Sequence, residues 1–323
     1  MLLCAKYIVP VSSEPMENGA LLVRDGVIAD IGTTEMMRLR YPDEEVKDFG
    51  MAALTPGFID LHARVEDGVL RGLIRDLPFV EWRKNINDLR SRISSSEAYD
   101  SAYLGCLEEL SAGVTTIADT TSTGAAVFAA REVGAIDKRL VNYAMKKMDS
   151  DLEKWSQSVD PDQITLGVSP DPVYECHPEM YRNVAKYAAS HNNLPIALKL
   201  AGSNEEMRFV KDGATAGLDS TVDHRGFVEV PPWLPTAVTP VNYVLNWGLF
   251  EAENVMVVYG VWVSEDDIRH LRDYDVAIAA CPSLNAQLGM GVAPVSEYWL
   301  ACGLRYRCSR FRKLFGYVCG NAF

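Results

Sequence analysis

Few side chains in this chain are placed to do chemistry, and their surroundings decide which chemistry. The five histidines, His62, His177, His191, His224 and His270, show no mutual spacing suited to a metal. His62 sits near the end of an apolar run, yet one imidazole gives Zn²⁺ only one of the three or four protein ligands it needs. The other four fall in loop-like or helical stretches and read as surface or capping residues. Lys199 lies near the end of the apolar run Pro195–Ala201. A lysine so placed, if desolvated or set beside another cation, can become a Schiff-base nucleophile. It can instead be a fixed positive charge paired with a carboxylate. Cys176 and Cys281 stand in expected loops that follow apolar strands, where a thiol either helps hold a soft metal or, more commonly, is buried and inert.

These residues need a framework, and the hydrophobic pattern supplies one. Between Ala5 and Ile31 the sequence reads as short β-strands, with an Asp25-Gly26 turn inside Val23–Val27. After Pro56-Gly57 the pattern changes to apolar strands alternating with amphipathic helices. Strands are predicted at Phe58–His62, Val114–Thr120, Arg139–Ala144, Ile164–Ser169, Pro195–Ala201, Val255–Tyr259 and Val276–Ala280, and an eighth just after Gly303. Ser94-x-x-Glu97 is a capping box that opens a helix from Ser95 to Ala112-Gly113, and another helix begins at Glu265 after Ser264. Seven strands with interleaved helices, over a length near the ~250 residues of a (β/α)₈ barrel, favour that barrel over an open doubly wound sheet. The expected division is a β segment at 1–54, a barrel at 55–303 and a tail at 304–323.

Composition narrows the partners. With 31 basic and 44 acidic residues, the formal charge of −13 repels nucleic-acid backbones and anionic lipid, so neither is an expected partner. The seven cysteines are odd in number and scattered, which suits a reducing, cytoplasmic setting better than a disulfide framework. The opening residues have neither a basic region nor an unbroken apolar run, so no signal peptide or membrane span is expected there.

Several motifs together resemble a known family. Leu54-Thr55-Pro56-Gly57-Phe58-Ile59-Asp60-Leu61-His62-Ala63-Arg64, then Leu70-Arg71-Gly72, Gly113-Val114-Thr115-Thr116, Pro240-Val241-Asn242-Tyr243, Gly260-Val261-Trp262 and Cys281-Pro282-Ser283-Leu284-Asn285 follow one another in order. They are similar to the metal-dependent amidohydrolases of the nucleoside-deaminase, aminofutalosine-deaminase and triazine-chlorohydrolase branch, over residues 1 to about 303. The resemblance implies a TIM-like (β/α)₈ barrel with a small N-terminal β domain. It implies an activity in which Zn or Fe activates water against C–N bonds of an N-heterocycle, a small-molecule partner of that class, and a homodimer.

The residues that the resemblance assigns to the metal are mostly different here. Where the family has His-x-His, this chain has His62 and Arg64, and arginine cannot deprotonate to bind a metal. Where the family has His-x-x-Glu, a ligand and the proton shuttle, it has Lys199 and Gly202. Tyr259 replaces a further ligand histidine; Asp171 and Ala280 replace pocket histidines, and Cys281 follows. His62 is the one ligand position kept, and metal binding there is not expected, nor any cofactor in this chain. Lys199 beside Arg64 then reads as replacement of the lost metal charge, paired with Asp171 or Glu66, in preference to a Schiff base, since no general acid or second nucleophile is evident. The expected function is that of an amidohydrolase-like protein without hydrolytic activity, a pseudoenzyme. The alternatives are an enzyme with metal-independent chemistry at Lys199, or a damaged copy of an active deaminase. No acidic residue follows Glu297, and residues 304–323 carry five basic residues and two cysteines. That segment is either a basic tail or strand, or a shifted reading frame; either way the barrel is expected to be incomplete at strand eight.

Overall fold

The computed structural model describes residues 1–134, 138–144, 154–213 and 235–302. The chain divides into two compact units, Met1–Phe58 and Ile59–Phe323.

In the first unit, β1 (Leu2–Ile8), β2 (Met16–Arg24) and β3 (Val27–Thr33) form an antiparallel meander, and β4 (Val46–Asp48) and β5 (Ala53–Leu54) add to β1 in parallel. Asp25 and Gly26 both have positive φ, at 50° and 74°, as a two-residue hairpin turn requires. Helix α1 (Thr34–Arg40) starts at the Thr33 cap and lays Met37 on Leu2, Cys4, Ala20 and Leu22 to make a small core. Ala53–Leu54 belong to this unit because they pair with β1.

The second unit holds a seven-stranded sheet that runs in chain order: β6 (Phe58–Ala63), β7 (Val114–Thr121), β8 (Lys138–Ala144), β9 (Ile164–Ser169), β10 (Ile196–Leu200), β11 (Val255–Tyr259) and β12 (Ala277–Ala279). Every neighbour pairing from β7 to β12 is parallel. Among the described residues, helices follow each strand from β6 to β12 other than β8: α2 (Phe79–Arg90) and α3 (Ser95–Ser111), α4 (Ala125–Val133), α5 (Glu179–Ser190), α6 (Asn204–Asp212), α7 (Pro240–Asn246) and α8 (Glu265–Asp273), with α9 (Pro282–Gln287) and α10 (Val295–Cys302) after β12. The strands are near-continuous apolar runs because both faces are covered; β11 is buried at every residue.

The sheet is curled. β6 and β11 stand five strand spacings apart, which in a flat sheet is about 24 Å at ~4.8 Å per spacing. Yet the His62 ring of β6 meets the Tyr259 ring of β11 with centroids 5.9 Å apart. The eighth strand expected after Gly303 lies outside the described residues. Among the described residues no helix is long and apolar enough to cross a membrane.

Candidate functional site

The curl brings the C-terminal ends of β6, β10, β11 and β12 around one pocket. His62, Arg64, Lys199, Tyr259 and Cys281 all line it, with Asp60, Trp82, Arg83, Arg90 and Leu284 among the other walls. Residues two apart on a strand share a face, which is why positions 60, 62 and 64 arrive together as the chain leaves β6. The Asp60 carboxylate accepts the His62 backbone N–H at 2.8 Å, and burial still pushes its pKa up to about 6.

Arg64 is anchored by acids that follow it directly. Its Nε donates to Asp67 Oδ2 at 2.7 Å, and its Nη2 donates to Ser122 Oγ at 3.1 Å and faces Glu66 Oε1 at 3.5 Å. Arg90 of α2 binds the same Asp67, with Nε within 3.0 Å of Oδ2 and Nη2 in short contact. Burial alone would raise the Asp67 carboxyl, but the two guanidiniums hold it well below the usual range. Glu66 turns away from the pocket, accepting from Thr121 Oγ1 at 2.6 Å, Thr123 Oγ1 at 2.8 Å and the Ser122 N–H at 2.5 Å. The pairing expected between Lys199 and Glu66 or Asp171 is therefore replaced by Arg64 with Asp67. Arg83 is matched in turn by Glu175 and lies 5.3 Å above the Tyr174 ring.

Lys199 stands apart from these pairs. Among the described residues it has no hydrogen bond and no ion pair. Burial first, then Arg64, Arg90 and Arg83, push its pKa well below that of an ordinary lysine. Burial first, then Lys199, Arg64 and Arg90, push the pKa of the His62 imidazole well below its ordinary value.

Tyr259 takes a backbone shape that few tyrosines adopt, φ +83°, and Gly260 follows at +56°. The Gly260 N–H donates to Leu200 O at 3.1 Å, and Val261 and Trp262 both donate to Ala201 O at 2.8 Å, so the ends of β10 and β11 are laced together. The tyrosine ring then fills the space over Gly202. A Cβ added there would fall 2.8 Å from Tyr259 Cδ2 and 2.9 Å from the Met290 methyl. Met290 is flexible at that end; the ring is not.

A carboxylate does sit close to Gly202, but it belongs to Glu206 at the start of α6. It accepts the N–H groups of Ala201 at 3.0 Å and Gly202 at 2.9 Å, and burial pushes its pKa up to about 7. Its task is to hold the strand end, and it is not part of the pocket wall. The signal for it was present in the sequence, since Ser203-x-x-Glu206 has capping-box spacing and Ser203 Oγ accepts the Glu206 N–H. Arg83, Arg90 and Trp82, which also reach the pocket, carry no such signal, because helical periodicity alone does not say which polar residues face a pocket.

The remaining candidates lie elsewhere. Asp171 is not part of the pocket wall; its carbonyl accepts from Tyr181 OH at 3.1 Å and Cys176 Sγ at 3.2 Å. Ala280 packs against the core beside the pocket. Cys281 does line it, with the thiol pushed up to about 12 by burial and then by Asp60. Cys176 is likewise buried and raised. His177 lies 3.9 Å from Glu179, His191 stacks on Tyr187, His270 sits in the last turn of α8, and His224 is outside the described residues.

The donor set does not fit Zn or Fe. Among the described residues no three of His, Cys, Asp or Glu come together as a metal-holding group. The pocket around His62 is lined instead by Arg64, Arg90 and Lys199, which would repel a cation.

Comparison with known proteins follows this geometry. The sequence model of the Amidohydrolase family matches residues 53–310, and that of the imidazolonepropionase-like composite domain of bacteria matches residues 19–43. The chain is 27% identical over 310 residues to a 5-methylthioadenosine/S-adenosylhomocysteine deaminase of Thermodesulfovibrio yellowstonii, covering 91% of this chain and 65% of that protein. It is 27% identical over 289 residues to a 5'-deoxyadenosine deaminase of Methanothrix thermoacetophila, covering 87% and 62%. It thus spans somewhat under two thirds of the length of these relatives. Among solved structures, Helicobacter pylori aminofutalosine deaminase in complex with methylthio-coformycin superposes with TM-score 0.76 at 15% identity, over 93% of this chain and 74% of that one. Atrazine chlorohydrolase from Arthrobacter aurescens complexed with zinc gives 0.73 at 17%, over 93% and 69%. At those identities the two structures speak for the fold alone.

Proposed function

The chain belongs to the amidohydrolase family, and from that premise we propose that it has exchanged a bound metal ion for side-chain cations and does not carry out the family's metal-dependent hydrolysis. The observation that carries this reading is that Arg64 and Lys199 both line the pocket beside His62. A metal-bound hydroxide needs imidazole and carboxylate donors around the ion. Here Arg64 and Lys199 line the pocket with the one remaining imidazole, and Asp60 accepts the His62 backbone N–H. Tyr259 supports the same reading, since its ring closes the space over Gly202 from which the family's proton-shuttle glutamate would project.

The pocket itself persists, with apolar surface from Val65, Trp82 and Leu284 among convergent charged and polar groups, which suits a small-molecule site. We therefore read the chain as a binding protein on a hydrolase fold, with deaminase chemistry on N-heterocycles as its ancestry. A second reading, chemistry through a neutral Lys199 amine, is favoured by the downward push on that amine. Asp60, whose carboxyl burial pushes up to about 6, lines the same pocket and is the acid such chemistry would call on.

The test is ammonia release from adenosine, 5'-deoxyadenosine and 5-methylthioadenosine, with purified chain supplied with Zn²⁺ or Fe²⁺. Turnover indistinguishable from buffer is the expected result. Release that disappears in His62→Ala would overturn the proposal. Metal-independent release that disappears only in Lys199→Met would favour the second reading.

A further inference from the structure

We propose that the pocket takes a small organic monocarboxylate carried on an apolar body, with Lys199 as its counter-ion. This rests on the reading of the pocket as a charge-replaced binding site. The arginines around the pocket already have partners: Arg71 is bidentate on Glu108 at 3.0 and 2.6 Å, Arg83 binds Glu175, and Arg64 and Arg90 share Asp67. Lys199 lines the same space and makes no hydrogen bond or ion pair with any described residue. An ammonium in a largely desolvated place is disfavoured while it lacks a counter-ion, and an anion entering the pocket stabilises it.

The number of unmatched cations sets the charge of the ligand. One lysine without a partner, in a wall that also holds Asp60 and Glu109, suits a single negative charge, so a carboxylate fits the site better than a phosphate dianion. The polar neighbours agree, because the Tyr259 hydroxyl and the His62 ring nitrogens line the pocket and hold no hydrogen bond with any described residue. Both can donate to a carboxylate, whose two oxygens accept several bonds at once. The apolar part of the wall, from Val65, Trp82 and Leu284, gives the ligand's body its character.

The experiment uses the intact chain and three probes: benzoate, its uncharged analogue benzamide, and inorganic phosphate, each titrated calorimetrically. Benzoate is expected to saturate near one per chain, with benzamide and phosphate each at least tenfold weaker. Lys199→Met is expected to weaken benzoate at least tenfold and leave benzamide unchanged, while Lys199→Arg retains benzoate. The retained benzamide binding and an unshifted thermal transition show that the variant is folded; Tyr259→Phe, with a smaller loss, serves as a second variant if Lys199→Met does not fold. No benzoate binding, equal affinity for benzoate and benzamide, tighter phosphate, or unchanged benzoate binding in Lys199→Met would each overturn the inference. A metal-free chain that ignores benzoate defeats this inference alone. A chain with tightly bound zinc at His62 defeats the reading beneath it.

Discussion

Tyr259 and Gly202 act as one unit, and that unit is the sharpest residue-level consequence of the structure. Introducing a side chain at Gly202 drives its Cβ against the Tyr259 ring, so Gly202→Glu alone is expected to destabilise by the ~1–3 kcal/mol typical of overpacking. Replacing Tyr259 by histidine in the same chain frees that space. A double-mutant cycle in denaturant should therefore show favourable coupling of about 0.5–3 kcal/mol between Gly202→Glu and Tyr259→His. Strict additivity of the two changes would contradict the packing described here. Much of the pocket was legible at this scale, since His62, Arg64, Lys199, Tyr259 and Cys281 all sit at or next to strand ends in the sequence. What the sequence could not supply was pairing. Nothing in the pattern says that Asp67, shared with Arg90 from the next helix, would take Arg64 and leave Lys199 alone.

Helix starts carry the predictions that belong to the elements. Glu206 on α6 is protonated more readily in the folded chain than in the unfolded one, because its pKa is raised to about 7. Between the unfolded value near 4.5 and about 7 the folded state binds the extra proton, so this group's contribution to stability falls as pH rises through that window. Glu206→Gln cannot titrate. The stability of the variant relative to the parent should therefore rise between pH 5 and pH 8, by at most about 3 kcal/mol. Urea melts at several pH values measure it, and a pH-independent difference would show that burial does not govern this carboxyl. The two capping boxes give a graded comparison. Ser94 and Glu97 cap α3 at an exposed edge, whereas Asp267 is fully buried and serves both its own helix through Ser264 and the start of α7 through Thr239 Oγ1 and Asn242 Nδ2. Ser94→Ala is expected to cost about 1 kcal/mol, and Asp267→Ala about 2–3 kcal/mol, as for charged hydrogen bonds lost in burial. Equal losses in thermal unfolding would contradict the assignment. Strands long enough to make an apolar run, and helices with a capping signature, were readable in advance. β4, β5 and α1 were not, because three residues or fewer make no pattern and a seven-residue helix with one buried methionine shows little periodicity.

At the scale of the whole chain, an acidic protein of net charge −13 keeps a group of cations around one pocket at the strand ends of its curled sheet. Neighbouring carboxylates satisfy the arginines, and that arrangement leaves Lys199 beside His62 in the pocket, which the proposed reading takes as the place of a metal ion's charge. The order of the strands was readable from their spacing, but the curl that joins β6 to β11 appears only in three dimensions. The central claim is that side-chain cations take the place of the metal. Its most direct test is the zinc and iron content of the purified chain, by elemental mass spectrometry, after expression with both metals supplied and exhaustive dialysis. The account predicts well under one equivalent of either metal per chain, unchanged by His62→Ala. One tightly held equivalent, lost in His62→Ala, would contradict it.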